Sequence, residues 1–103
     1  MAELKVGDKS IEIKYNNYAF RRIEKTLGMS IPKMAEKMKN NEVGFNEITI
    51  LLWAGLLANN KEASIEDADK IIDDVGYEDI IIAITDAINE YNPKDTSKNE
   101  KNV

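Results

Sequence analysis

Asp67, Asp69 and Glu78 fall at positions one, three and twelve of an EF-hand spacing, which gathers oxygen ligands around calcium. Position five is then Ile71 and position six Ile72, where the loop needs an oxygen ligand and a turning glycine. The segment carries a helical apolar period instead. Glu66, Asp69 and Asp73 are therefore read as a solvated helix face, and no metal site is expected. The chain has neither His nor Cys, which removes the commonest general base, the thiol nucleophile and zinc–thiolate chemistry together. Carboxylates are plentiful, but no pair stands out as placed in two different environments, as acid–base catalysis requires. The five glycines are scattered as turn and cap residues, apart from Gly55, and form no phosphate-binding loop. The expectation is a non-enzymatic protein without a cofactor.

Binding chemistry has more candidates. Arg21, Arg22 and Lys25, with Tyr18 nearby, make a small basic face, and Lys33, Lys37 and Lys39 follow. This is either a solvated surface or a docking face for an acidic protein. It is not read as a nucleic-acid site, because the remaining helices are apolar or acidic. A second candidate lies in Ile48–Ala58, ITILLWAGLLA, where Thr49 is the one clearly polar side chain. On a helix, Ile48, Leu51, Leu52, Gly55 and Leu56 share one face. Ile50, Trp53, Ala54 and Leu57 make a second stripe. The first face reads as core. The Ile50/Trp53/Leu57 stripe is either buried by the hairpin, which would make this a central helix, or is a groove for a partner. Ile82 projects among Glu78, Asp79, Thr85, Asp86 and Asn89 and joins the partner-binding candidates. Gly55 sits mid-helix at a cost of about 1 kcal/mol relative to Ala, which points to a close helix–helix crossing.

The elements that position these residues are readable from local patterns. Leu4 and Val6, then Ile11, Ile13 and Tyr15, alternate with polar residues around Gly7-Asp8-Lys9-Ser10, predicting a β-hairpin. Such a hairpin needs helices beneath it. A first helix is capped by Asn16 or Asn17 and runs to about Leu27, with Ala19, Phe20, Ile23 and Leu27 inward and Gly28 ending it. Ser30 caps a second, with Pro32 in its first turn and Ile31, Met34, Ala35 and Met38 inward. A loop over 39–44 leads to the apolar helix, from Asn46 to near Asn59-Asn60. Ser64 and Asp67 form a capping box for a fourth helix, burying Ile65, Ala68, Ile71, Ile72 and Val75 and stopped by Gly76. A fifth runs from Glu78 to Tyr91, with Ile80, Ile84, Ala87, Ile88 and Tyr91 inward, before Asn92-Pro93. The predicted architecture is α+β: one N-terminal β-hairpin, then a compact bundle of about five helices. Residues 1–92 form the single domain, and 93–103 a disordered polar tail.

Composition sets the wider frame. The 103 residues suit one domain with a modest core, 43% hydrophobic and 32% charged. Net charge is −5, but residues 1–45 are at +3 and residues 61–90, with ten acids and two lysines, at −8. A basic front and an acidic back can steer a partner or a second copy of the chain. The longest apolar run is well short of the ~20 residues that cross a bilayer. MAELKVGDKS has no apolar signal core, so the expected location is the cytosol.

Taken in order, the hairpin, YAFRRIEKTLGMSI (Tyr18–Ile31), LLWAGLLA (Leu51–Ala58) and SIEDADKIIDDVGYEDIIIAITDAI (Ser64–Ile88) resemble the tail assembly chaperones of long-tailed bacteriophages and prophages. The likeness extends to about Tyr91 and rests on the order of its soft motifs: helix-start aromatics, an Ile-Glu pair before Gly, an apolar Trp-Ala-Gly stretch and an Ile/Asp-rich end. It implies a non-enzymatic chaperone in the host cytoplasm, not expected in the mature virion. Its implied partners are the tape-measure protein, whose long apolar helices it keeps soluble, and the tail-tube protein it helps recruit. Many members exist in a short and a longer frameshifted form, and this chain would correspond to the short one. The readings that compete with this are a structural head–tail joining or tail-completion component, and a small cytosolic adaptor or regulator.

Overall fold

The computed structural model describes residues 2–91. The tail expected at 93–103 lies outside the described residues. Strands β1 (Ala2–Val6) and β2 (Lys9–Ile13) pair antiparallel, and helices α1 (Asn17–Leu27), α2 (Ile31–Lys39), α3 (Phe45–Leu57), α4 (Ile65–Val75) and α5 (Tyr77–Tyr91) follow. The α+β class, one hairpin and then five helices, is as the sequence predicts.

The hairpin is tighter than its sequence suggests. Val6 pairs with Lys9 and Lys5 with Ser10, so the loop is Gly7-Asp8 alone and Lys9 and Ser10 belong to β2. Alternation puts Leu4 and Ile13 in the core, with Val6 and Ile11 partly buried, while Glu3, Lys5 and Lys9 face solvent.

Helix ends follow local chemistry. The Asn16 side chain caps α1 by accepting from Ala19 N–H at 2.9 Å, and Gly28 closes it in the left-handed conformation. The Ser30 hydroxyl caps α2, whose first turn accommodates Pro32. Ser64 and Asp67 satisfy each other's N–H groups at the start of α4, at 3.1 and 2.9 Å. Helix α3 starts one residue earlier than expected, because Gly44 is its cap. Glu47 Oε1 accepts from Gly44 N–H at 2.9 Å, and its Oε2 pairs with Lys37 Nζ at 2.7 Å. Helix α5 also starts one residue early, at Tyr77. Gly76 donates to Ile72 to end α4 and accepts from Ile80 to begin α5, so one residue makes the whole joint. Its φ of 105° lies where side chains are strained.

Helix α3 is the axis of the domain, in contact with α1, α4, α5 and β2. Every residue from Ile50 to Leu57 is buried, and so is Ile48. Three side chains expected inward are exposed. Ala35 is exposed at the edge of α2, where a groove separates it from Ile88 of α5. Ile65 (40% exposed) is the first residue of α4. Tyr91, the last residue of α5, is 48% exposed, although its ring meets Phe20 at a steep angle with the centroids 4.8 Å apart.

Candidate functional site

The Ile50/Trp53/Leu57 stripe is not a surface. Its side chains are 4, 7 and 3% exposed. The reading of this stripe as an open partner groove is therefore corrected. Burial of the stripe, the alternative to a groove, holds, and for Trp53 the contacts come from α1 and the α3–α4 connection. The Arg22 guanidinium lies 5.3 Å from the Trp53 ring centre, and Trp53 Nε1–H donates to Ala63 C=O at 3.0 Å. Trp53 is thus held between α1 and the α3–α4 connection, with its one polar atom satisfied.

The hairpin covers the opposite side of α3. Tyr15 is buried, and its hydroxyl donates to Leu51 C=O at 2.6 Å. Lys14 N–H donates to Gly55 C=O at 3.1 Å. A Cβ on Gly55 would stand 2.6 Å from Ile13 Cγ2 and 3.1 Å from the Tyr15 ring. The close approach at Gly55 is therefore between a helix and a strand end, not the helix–helix crossing expected. Burial raises the pKa of the Tyr15 phenol far above its usual value. It remains a neutral hydrogen-bond donor and is no acid–base candidate. The Lys37 ammonium, with help from Gly44 N–H, holds the Glu47 carboxyl below the usual range. Glu47 is therefore an ionised cap.

Arg21 and Lys25 are exposed and, with Arg22, Tyr18 and Glu24, line a shallow depression on α1. The structure thus brings the predicted basic face together. Arg22 is its half-buried member, with Nε left without a hydrogen bond under its stack on Trp53. Glu24 is engaged elsewhere, accepting from Ile31 N–H at 2.9 Å. Ile82 stands alone, 59% exposed, on the acidic outer face of α5.

The surface that sequence reasoning missed centres on Phe45, which is 76% exposed although it opens the most buried helix. Its ring meets Tyr77 edge-on at 5.1 Å, and Tyr77 hydroxyl donates to Val43 C=O at 3.1 Å. The Glu47 cap and the Lys37 ion pair fix the same corner. Phe45 is thus displayed on a braced backbone. Beside it an open groove between α3 and α4 is lined by Ile48, Thr49, Ile72, Tyr77, Asp69 and Asp73. A second depression, holding Met38, Val43 and Ile81, shares Ile48 and Tyr77 with it. The sequence signal was a large aromatic directly after a capping glycine; Phe45 continues the Ile48/Leu52/Leu56 period by one turn, so periodicity alone reads it as core.

Among the described residues there is no cluster of His, Cys, Asp or Glu suited to a metal, and no helix long and apolar enough to cross a membrane. Comparison with family models, curated proteins and solved structures gives no match to this chain.

Proposed function

We propose that this protein is a non-enzymatic chaperone of phage tail assembly, which binds apolar helices of a tape-measure protein and helps bring tail-tube subunits to it in the host cytoplasm. The order of the sequence elements Tyr18–Ile31, Leu51–Ala58 and Ser64–Ile88 supports this assignment by resemblance. The observation that carries it is the exposed, braced Phe45 beside an open groove that also presents Ile72 and Tyr77, in a domain whose large apolar helix is already buried. A protein that shields apolar helices needs such a surface in water, and a rigid aromatic anchor is the usual centre of one. Partly buried Met38 adds an adaptable side chain in the adjoining depression. With no His or Cys in the chain and its buried Tyr15 locked as a donor, the groups at hand favour binding over turnover.

The test is co-expression with the tape-measure protein of the phage or prophage that encodes the chain. The expected result is a client that stays soluble only when this protein is present. A client equally soluble alone, or this protein found in purified mature particles, would overturn the chaperone reading; the second would favour a structural tail component.

A further inference from the structure

We propose that the groove between α3 and α4 receives a cationic amphipathic helix, with Phe45 as its apolar anchor and Asp69 and Asp73 as its charge readers. The inference rests on the binding-protein reading above and specifies the site and the charge of the partner. The groove is open rather than enclosed, and its accessible apolar groups are Phe45 and the half-buried Ile72 and Tyr77, which suit the apolar face of a further helix, while Thr49, Asp69 and Asp73 make its polar side. Its acidic wall selects the sign of that helix. Asp69 and Asp73 are one turn apart on α4 and exposed, and neither has a hydrogen bond or ion pair among the described residues.

The cations near this corner are committed elsewhere or face away. Lys37 is paired with Glu47. Lys70, the one basic residue of α4, lines a different groove with Lys9 and Asp74. Asp73 and Asp74 also occupy the last turn of α4, which has no basic residue to complement the negative end of its dipole. A Lys or Arg from a partner, lying along Asp69 and Asp73, would supply that missing complement. The basic face at Arg21, Arg22 and Lys25 on a second copy is the rival occupant. It offers only Tyr18 as an exposed large apolar group, too little to fill the groove.

The probe is a synthetic helical peptide of roughly 18 residues, about five turns, with a Leu stripe on one face and Lys on the other. A matched peptide carries Glu in place of Lys. Binding to the full chain is followed by fluorescence anisotropy, and the site by amide chemical shifts. The Lys peptide is expected to bind at least tenfold tighter than the Glu peptide, with shifts centred on Phe45, Ile72 and Tyr77. Phe45→Ala, at a largely exposed position, is expected to weaken it about thirtyfold with only a small fall in melting temperature from the lost edge contact with Tyr77. Asp69→Asn with Asp73→Asn is expected to cost roughly fivefold and to flatten the salt dependence.

Equal binding of both peptides, or no effect of the Asp substitutions, would overturn the charge claim. Shifts lying elsewhere would overturn the site. Self-association of the free protein that Phe45→Ala abolishes, with the peptide competing for the same contact, would assign the groove to a second copy and overturn the proposal. These outcomes separate from the client test. Client solubilisation that survives Asp69→Asn with Asp73→Asn sinks the charge reading and leaves the chaperone standing, whereas failure of the unaltered protein to solubilise the client sinks the chaperone reading whatever the peptides do.

Discussion

Gly55→Ala sets two effects of opposite sign against each other at one site. In an exposed helix this change stabilises by about 1 kcal/mol, through a smaller loss of backbone entropy. Here the new Cβ would lie 2.6 Å from Ile13 Cγ2, against about 3.8 Å for carbon atoms in contact, an overlap of roughly 1 Å. Ile13 is fully buried and its Cγ2 is attached directly to Cβ, so it cannot swing aside. The Tyr15 ring, at 3.1 Å, is held by its bond to Leu51 C=O, and Lys14 N–H is tied to Gly55 itself. Relief therefore requires strand β2 to lift from α3. Overpacking of this kind costs about 1–3 kcal/mol, and weakening one of those hydrogen bonds adds about 1 kcal/mol. Against the propensity gain, the net is destabilisation of about 2 kcal/mol. For a domain of this size that corresponds to a fall in Tm of roughly 8–16 °C. Urea and thermal unfolding followed by circular dichroism measure it. Ile13→Ala removes the clashing methyl, so the cost of Gly55→Ala should drop by about 1 kcal/mol or more in that background. A higher Tm for Gly55→Ala alone, or strict additivity in the cycle, would refute the close-approach argument.

Four further outcomes are expected. Tyr15→Phe should cost about 1 kcal/mol, since it removes a buried donor from Leu51 C=O but keeps the ring; denaturant midpoints measure it. Trp53→Gln should destabilise by about 3–5 kcal/mol and broaden amide resonances across the domain, because it empties a core position and severs the bond to Ala63; a well-folded variant that lost only partner binding would contradict the burial of the stripe. Gly76→Ala should cost about 1–2 kcal/mol by forcing a side chain to a φ of 105°, seen as a lower urea midpoint with unchanged helix content. Glu47 has a folded-state pKa below its ordinary value of 4.5, so its contribution is fully present above that pH and is lost as the pH falls through the lower, folded value. Glu47→Gln should remove about 0.5–1 kcal/mol at neutral pH and little at the acid end, in a comparison of stability against pH.

Where a signal was carried by residues adjacent in sequence, it was legible. Asn16, Ser30 and the Ser64/Asp67 pair cap their helices because a short side chain reaches only the N–H groups of its own first turn. Gly28 and Gly76 stop their helices for equally local reasons. Periodicity marked α3 as apolar all round, but not which neighbour each side would meet. That depends on how far Arg22 extends over Trp53 and on where the end of β2 comes down on Gly55, both set by packing between distant segments. Ala35 and Ile65 match their helical periods yet stay exposed, because α2 and the first turn of α4 lie at the margin of the fold. The basic face on α1 and the projection of Ile82 were visible in the sequence. Phe45 was not, because it shares the Ile48/Leu52/Leu56 period and so reads as core, whereas its exposure follows from its place at the start of α3, at the corner built by Glu47, Val43 and Tyr77.

The position of α3 at the centre of the domain bears on the chain's own synthesis. Its shell comes from both directions along the sequence: the hairpin and α1 before it, α4 and α5 after it. A polypeptide made from its N-terminus therefore releases this thirteen-residue apolar helix when only half of its cover exists. Until residues of α5 emerge, the growing chain presents to solvent the kind of apolar helix that it is proposed to shelter in its client. A translational pause inside α4 should leave a nascent chain that aggregates or recruits a general chaperone, whereas a pause after α5 should not.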